Sequence, residues 1–144
     1  MTLLQANGFL LLGALLTALA GVLHFACIFW GARGFQVLGA GEQLVAMAAR
    51  RHWYPPVVAC AIGCVLLLWA LLTLSAAGLG PQLALAKWAV LLITLVYLGR
   101  ALAFPWLKRV IIGNSERFWH LSSLLCLGLA VLHGVGLAQV WQAA

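Results

Sequence analysis

The chain has 144 residues, of which 66% are hydrophobic and only 7% are charged. A soluble domain carries about 25% charged residues, so most of this surface must face lipid, and the length allows a single domain. The formal net charge is +6, from eight Lys and Arg against Glu42 and Glu116, with no Asp. No basic run with interleaved aromatics is present, which favours anionic membrane lipids as partners and excludes nucleic acid.

Four apolar segments follow one another, at about residues 8–30, 56–79, 83–104 and 119–141. Each has about 20 or more mainly apolar residues, the length that a hydrocarbon core of about 30 Å requires. The first segment continues ten residues past a signal-peptide-like site at Ala18-Leu19-Ala20, so we expect a span there as well. The pattern predicts an all-α protein, a four-helix transmembrane bundle that forms one domain over residues 1–144.

The long first loop, residues 31–55, contains a further helical pattern. Apolar residues recur at helical spacing between Gly41 and Trp53, with two arginines beside them: Leu44, Val45, Met47, Ala48, Arg50 and Arg51. A short helix with one apolar and one basic face typically lies in the membrane interface. We therefore predict an interfacial amphipathic helix from Glu42 to about Arg51.

The loop charges predict an orientation. The first and third loops carry three Lys or Arg each, whereas the amino-terminal stretch, the turn between segments two and three, and the carboxyl tail carry none. Positively charged loops stay in the cytoplasm. We therefore expect a multi-pass membrane protein with the first and third loops in the cytoplasm and both termini outside.

Polar side chains in the predicted hydrocarbon region form the candidate site. His24 and Arg100 lie about 9 Å inside the cytoplasmic boundary, a depth at which a charge or imidazole is costly and is a functional candidate. Glu42 is the only acid in the first 115 residues and the expected counter-charge. We predict that these three residues converge on one ligand-binding cavity, with Tyr97, one turn before Arg100, and boundary His120 in the same set.

Each of these residues also has an ordinary interpretation. The buried histidines His24 and His133 can each bond one backbone carbonyl, and Arg100 can reach a lipid phosphate. Glu42 can be a solvated acid at a helix start, and His120 an ordinary boundary residue. The small residues Gly13, Thr17 and Gly21 place His24 on a face where another helix approaches closely. In an up-down bundle, segment one neighbours segments two and four, so His24 could meet Ser122 and Cys126.

The four cysteines suggest metal chemistry only weakly. Cys60 and Cys64 share a helix face, and Cys27 and Cys126 lie in the same half as His24. Thiolates and imidazole suit copper or zinc, but cysteine also packs as a small apolar residue, so we predict free thiols and no bound metal. His24 and His133 differ in depth by about 10 Å, a poor match for haem. The cofactor, if there is one, stays unknown.

Several short motifs carry a resemblance. They read Leu-Gly-Ala-Gly-Glu at 38–42, Leu-Ser-Ala-Ala-Gly at 74–78, Tyr-Leu-Gly-Arg at 97–100, and, in segment four, Phe118, Ser122-Ser123, Cys126-Leu127-Gly128 and Leu132-His133-Gly134. Together they resemble a family of small, uncharacterised bacterial inner-membrane proteins with four predicted spans. The order Gly-Arg at Arg100 departs from the Arg-Gly expected there. The resemblance implies a four-span protein of the bacterial inner (cytoplasmic) membrane, for which the outside is the periplasm, and no particular activity.

From these observations we expect the protein to bind, and in a second version of this function to transport, a small amphipathic or anionic ligand. The ligand would lie in the cytoplasmic half of the helix bundle. A lipid, an isoprenoid or a quinone fits that description. Arg100 would hold the anion, while Glu42 and His24 would set polarity or accept a proton. The alternatives are an accessory subunit of a membrane complex, a small membrane enzyme, and a metal or haem protein. A homo-oligomer or a partner membrane protein is compatible with each of them.

Overall fold

The computed structural model describes residues 6–143; residues 1–5 and 144, the two ends of the predicted domain, lie outside it. The described part is all-helical. Its helices are α1 (Gly8–Trp30), α2 (Ala32–Val37), α3 (Glu42–Ala49), α4 (Tyr54–Ala76), α5 (Ala86–Leu102), α6 (Phe104–Val110) and α7 (Glu116–Gln142). Three of them, α1, α4 and α7, are long and apolar enough to cross a membrane. The bent pair α5 and α6 raises the number to as many as four, which is compatible with a multi-pass membrane protein.

The helix boundaries follow local sequence signals. Asn7 caps α1, because its Oδ1 accepts a hydrogen bond from the Leu10 N–H at 3.0 Å. Ser115 caps α7 in the same way, accepting from the Phe118 N–H at 3.1 Å. This cap extends the last helix three residues before the predicted start at 119. The two prolines after Tyr54 open α4, where a missing N–H costs nothing.

Pro105 explains why the third segment is not one straight helix. Its ring has no N–H and clashes with the carbonyl four residues earlier, so α5 ends at Leu102. The chain continues as α6 at an angle of 68° to α5. The sequence pattern predicted a single segment at 83–104 followed by a loop, and it missed both this bend and α6.

The four long helices pack pairwise. α1 contacts α4 and α7, α5 contacts the same two helices, and α4 and α7 touch only slightly. The start of α1 meets the ends of α4 and α7 at one extremity, where the Asn7 N–H donates to the Ala77 carbonyl at 3.1 Å and the Asn7 side-chain amide donates to Gln139 Oε1 at 2.9 Å. We call this extremity, with the start of α1, the α4–α5 turn and the end of α7, the terminal end. The opposite extremity, with residues 31–53 and 103–115, is the loop end.

The two segments at the loop end are joined to each other. The Asn114 side chain donates to the Gly39 carbonyl at 2.9 Å, and the Glu42 N–H donates to the Ile112 carbonyl at 2.9 Å. α3 begins at Glu42, as expected, and ends at Ala49, two residues before the predicted limit. It packs against α2, a helix that the sequence pattern did not predict, and against α4.

Candidate functional site

Arg100 lies in the last turn of α5, partly buried against α7. One guanidinium nitrogen, Nη2, donates to the Ser122 hydroxyl at 3.2 Å, and the guanidinium carbon lies 5.3 Å from the centre of the Trp119 ring. The other nitrogen, Nη1, is buried and has no hydrogen-bond partner within residues 6–143. The groups that hold this cation are therefore neutral.

The expected counter-charge is not at Arg100. In the part of the chain that the structure describes, the only pair of a basic group and a carboxylate within 4.0 Å is Lys108–Glu116, at 3.1 Å. That pair is exposed at the loop end, where a surface ion pair contributes little. Glu42 is exposed as well. Of the partners expected for Arg100, a lipid phosphate and a bound ligand therefore remain.

Tyr97 lies one turn before Arg100 in α5 and belongs to a buried polar cluster. Its hydroxyl lies 3.0 Å from the Thr17 hydroxyl of α1. Its ring contacts Trp69 of α4 edge-on, with 5.6 Å between ring centres, and lies 5.5 Å from the ring of His133. Side chains from four helices therefore meet around Tyr97.

His133 is the most buried imidazole of the described residues, with no exposed surface. Its Nδ1 lies 2.8 Å from the Leu129 carbonyl, and a carbonyl can only accept, so Nδ1 carries the proton. The remaining nitrogen, Nε2, is buried without a partner among residues 6–143. Gly13 of α1 makes room for the ring, because a Cβ there would lie 2.9 Å from Cε1. The ordinary interpretation of His133, one bond to a backbone carbonyl, matches this geometry.

His24 bonds the chain in the same manner but in different surroundings. Its Nδ1 lies 2.8 Å from the Ala20 carbonyl, which leaves Nε2 as the free acceptor. The side chain lines a cavity of about 230 Å³ between α1, α2, α3 and α4, with mainly apolar walls that include Phe35 and Ile62. His24 therefore faces the helices of the first loop rather than the expected Ser122 and Cys126.

Glu42 lines a second cavity at the loop end, of about 370 Å³. This cavity shares Ala40, Leu44 and Ile111 with the His24 cavity, so the two are neighbours. Arg100 lines neither. The structure thus places His24 and Glu42 near a common wall and Arg100 with Tyr97 on the α5–α7 side. No hydrogen bond or ion pair between described residues joins the three predicted residues into one site.

His120 is exposed near the start of α7, and its ring lies 5.5 Å from the ring of Phe104. It makes no side-chain hydrogen bond to another described residue. Phe104 stands at the bend between α5 and α6, so His120 packs against that bend rather than lining either cavity.

Sequence reasoning missed the residues that surround Arg100. Trp119 was not among the candidate residues, and Ser122 was expected as a contact of His24. Ser123, next to it, has a buried hydroxyl with no partner among residues 6–143. A usable signal was present, because Ser123, Cys126, Ala130 and His133 recur at steps of three or four and hence share one face of α7.

The cysteines are all free. Cys60 and Cys64 are exposed on α4, where lipid would surround them, and Cys27 is buried. Within residues 6–143 no group of three or more His, Cys, Asp or Glu is arranged to hold a metal ion. The absence of bound metal stays a prediction, for which elemental analysis of the purified protein is the test.

Comparison of the chain with known protein families, with curated proteins and with solved structures gives no match. The function is therefore argued from the geometry of the site alone.

Proposed function

We propose that this chain is a four-span protein of the bacterial inner membrane that binds the anionic head of a small amphipathic molecule at Arg100. One observation carries the proposal. The Nη1 atom of Arg100 is buried and has no hydrogen-bond partner among the described residues. No carboxylate of residues 6–143 lies within 4.0 Å of the guanidinium. An unpaired charge at membrane depth costs at least about 2.5 kcal/mol, so such an arginine almost always has a partner. An anion from outside the chain supplies it.

The geometry around Arg100 suits an anion with two or more oxygens. Ser122 accepts from Nη2, while Nη1 has no partner among the described residues and is closed to solvent, so an outside anion reaches Nη1 once the Arg100 side chain turns outward. The planar guanidinium presents donors in a fixed fork that matches carboxylate and phosphate groups. The Trp119 ring under the guanidinium fixes its plane and adds a cation–π contact.

An apolar tail has a place beside this head group. Val96, four residues before Arg100, is 43% exposed, and Leu125, three residues after Ser122, is 70% exposed. Residues at these spacings lie on the same helix face, one turn deeper in the membrane. A molecule with its anion at Arg100 can therefore extend an acyl or isoprenoid chain along α5 and α7.

The orientation and the interfacial helix belong to the same proposal. Arg33, Arg50, Arg51, Lys108, Arg109 and Arg117 are all at the loop end. With this end in the cytoplasm, Arg100 meets the inner leaflet, which is rich in anionic lipid. α3 then lies along the membrane surface beside Arg50 and Arg51, and both termini lie in the periplasm.

Native mass spectrometry of the protein released from membranes in mild detergent tests the proposal. We expect the wild type to retain an anionic lipid or isoprenoid phosphate, and Arg100→Gln to lose it. Arg109→Gln is the matched control, because it removes an exposed charge from the same end and Arg109 forms no ion pair with a described residue. Arg100→Lys, which keeps the charge but not the fork, should retain the ligand more weakly.

Circular dichroism of each variant separates loss of ligand from loss of fold. Equal retention in Arg100→Gln and the wild type would refute the proposal. Equal loss in Arg100→Gln and Arg109→Gln would also refute it, since the attraction would then be general to the loop end.

A further inference from the structure

We propose a second anion-binding site at the terminal end, built around Lys87 and independent of Arg100. A cavity of about 500 Å³ opens where the start of α1, the α4–α5 turn, the start of α5 and the end of α7 meet. Its polar lining comes from Asn7, Ser75, Gln82, Lys87 and Gln139. The site takes a carboxylate or phosphate group, either from a lipid head group or as a free ion.

The hydrogen bonds of Asn7 fix the orientation of Gln139. The Asn7 amide nitrogen donates to the Gln139 Oε1 at 2.9 Å and to the Gly136 carbonyl at 3.2 Å. Asn7 Oδ1 accepts from the Leu10 N–H, so Asn7 is fully occupied. Because the Gln139 oxygen is occupied as an acceptor, its two N–H donors are the part left to serve a ligand.

Ser75 is also occupied, and it forms the wall of the cavity rather than a ligand contact. Its hydroxyl donates to the Pro81 carbonyl at 2.6 Å and accepts from the Leu83 N–H at 3.0 Å. These two bonds hold the α4–α5 turn closed. The turn in turn positions the start of α5, and with it Lys87.

Lys87 supplies the charge. It is partly buried in the first turn of α5, and no carboxylate lies within 4.0 Å of it among the described residues. Both acidic side chains of the chain, Glu42 and Glu116, begin helices at the loop end, at the opposite extremity from this cavity. A lysine in the first turn also adds to the positive end of the helix dipole, a position that favours a nearby anion.

The polar groups left for a ligand are the Lys87 ammonium, the Gln139 N–H pair and the amide of Gln82, whose Nε2 also donates to the Gly80 carbonyl at 3.4 Å. No acidic side chain is among the described residues of the lining. Apolar walls from Ala76, Leu83 and Val140 surround these donors. Because its one charged group is a lysine, such a cavity favours an anion over a cation. A charged group flanked by small apolar walls fits a compact head such as phosphate, or the glycerophosphate of a lipid.

The test uses the full chain in nanodiscs of neutral phosphatidylcholine, with a neutral Gly-Ser extension at the carboxyl end. The extension moves the terminal carboxylate away, since Ala143 lines the cavity. The reporter is the side-chain amide signal of Gln139 in ¹⁵N NMR. One arm adds inorganic phosphate, and the other replaces part of the lipid by phosphatidylglycerol.

We expect a saturable shift of the Gln139 amide signal in at least one arm. Saturation by phosphate identifies a free anion, and saturation by phosphatidylglycerol alone identifies a lipid head group. Lys87→Gln should weaken the response at least tenfold, while Lys87→Arg should preserve it. The unchanged backbone spectrum of Lys87→Gln shows that the fold is intact.

The outcome is distinguishable from that at Arg100. Arg100→Gln should leave the Gln139 response unchanged, and Lys87→Gln should leave the ligand at Arg100 in place. A Gln139 signal that does not respond in either arm, or that responds equally in Lys87→Gln, would overturn the proposal whatever happens at Arg100.

Discussion

Replacing Gly13 by alanine introduces a methyl group where α1 meets the buried ring of His133. The new Cβ would lie 2.9 Å from Cε1 and 3.1 Å from Nδ1. The ring has little freedom to retreat, because Nδ1 is bonded to the Leu129 carbonyl and the ring of Tyr97 lies 5.5 Å away. We therefore expect α1 and α7 to be forced apart locally.

Two opposing effects set the change in the free energy of unfolding of Gly13→Ala. Overpacking a tight core costs about 1–3 kcal/mol. Alanine is a better helix former than glycine by about 1 kcal/mol, which offsets part of that cost. Gly128 of α7 is the matched control, since it is exposed and a methyl group added there would meet no described atom within 4 Å. The free energy of unfolding of Gly13→Ala should thus lie about 1–3 kcal/mol below that of Gly128→Ala.

Reversible unfolding in mixed micelles measures both variants. A second comparison isolates the ring: in a His133→Ala background, Gly13→Ala should lose its cost, because the overlapping atoms are gone. Equal stabilities of Gly13→Ala and Gly128→Ala would refute the reasoning, and so would an unchanged cost in the His133→Ala background.

Three further predictions concern the loop end, the interior and the orientation. Gly39→Ala should destabilise the protein by about 1–3 kcal/mol more than Gly80→Ala. Both glycines have a positive φ (71° and 79°), but only at Gly39 would the new Cβ overlap the Phe118 ring. Equal melting temperatures of the two variants would contradict this. The effects of Thr17→Val and Tyr97→Phe on the free energy of unfolding should be coupled by about 0.6–1.7 kcal/mol in a double-mutant cycle, because the two hydroxyls share a buried hydrogen bond of 3.0 Å. Strictly additive effects would show that this bond is absent. Reporter fusions at both ends of the chain should be active in the periplasm, and a cytoplasmic carboxyl end would invalidate the orientation.

The fold was largely predictable because hydropathy reports directly on long apolar helices. The first predicted segment, 8–30, has the limits of α1, and the Glu42 start of the loop helix was expected as well. The second and third segments were drawn too close together, because α4 ends at Ala76 rather than at 79 and α5 begins at Ala86 rather than at 83. The other errors lie where local chemistry outweighs hydropathy. Pro105 ends α5 early although the residues around it are apolar, and Ser115 starts α7 early although Glu116 and Arg117 are charged.

The site was harder to predict, because side-chain partners depend on which helices meet. The place of Arg100 near the end of the third segment was readable from the sequence, but its contacts with Trp119 and Ser122 required the α5–α7 pairing. Glu42 was expected beside Arg100 because it is the only acid in the first 115 residues. Instead, its backbone N–H donates to the Ile112 carbonyl in the connection at the loop end. Periodicity places residues on a helix face, and only packing decides which faces meet.

The early end of α5 has a consequence for the surrounding bilayer. Its 17 residues span about 26 Å, against about 35 Å for each of the 23-residue helices α1 and α4. A hydrocarbon layer of about 30 Å is too thick for α5, while the longer helices fit it by tilting. If α5 crosses the bilayer alone, we expect the lipid beside it to be thinned on that flank only, which would draw head groups toward Arg100. Such a hydrophobic mismatch predicts that short-chain lipids are preferred on this flank and that stability depends on acyl-chain length there.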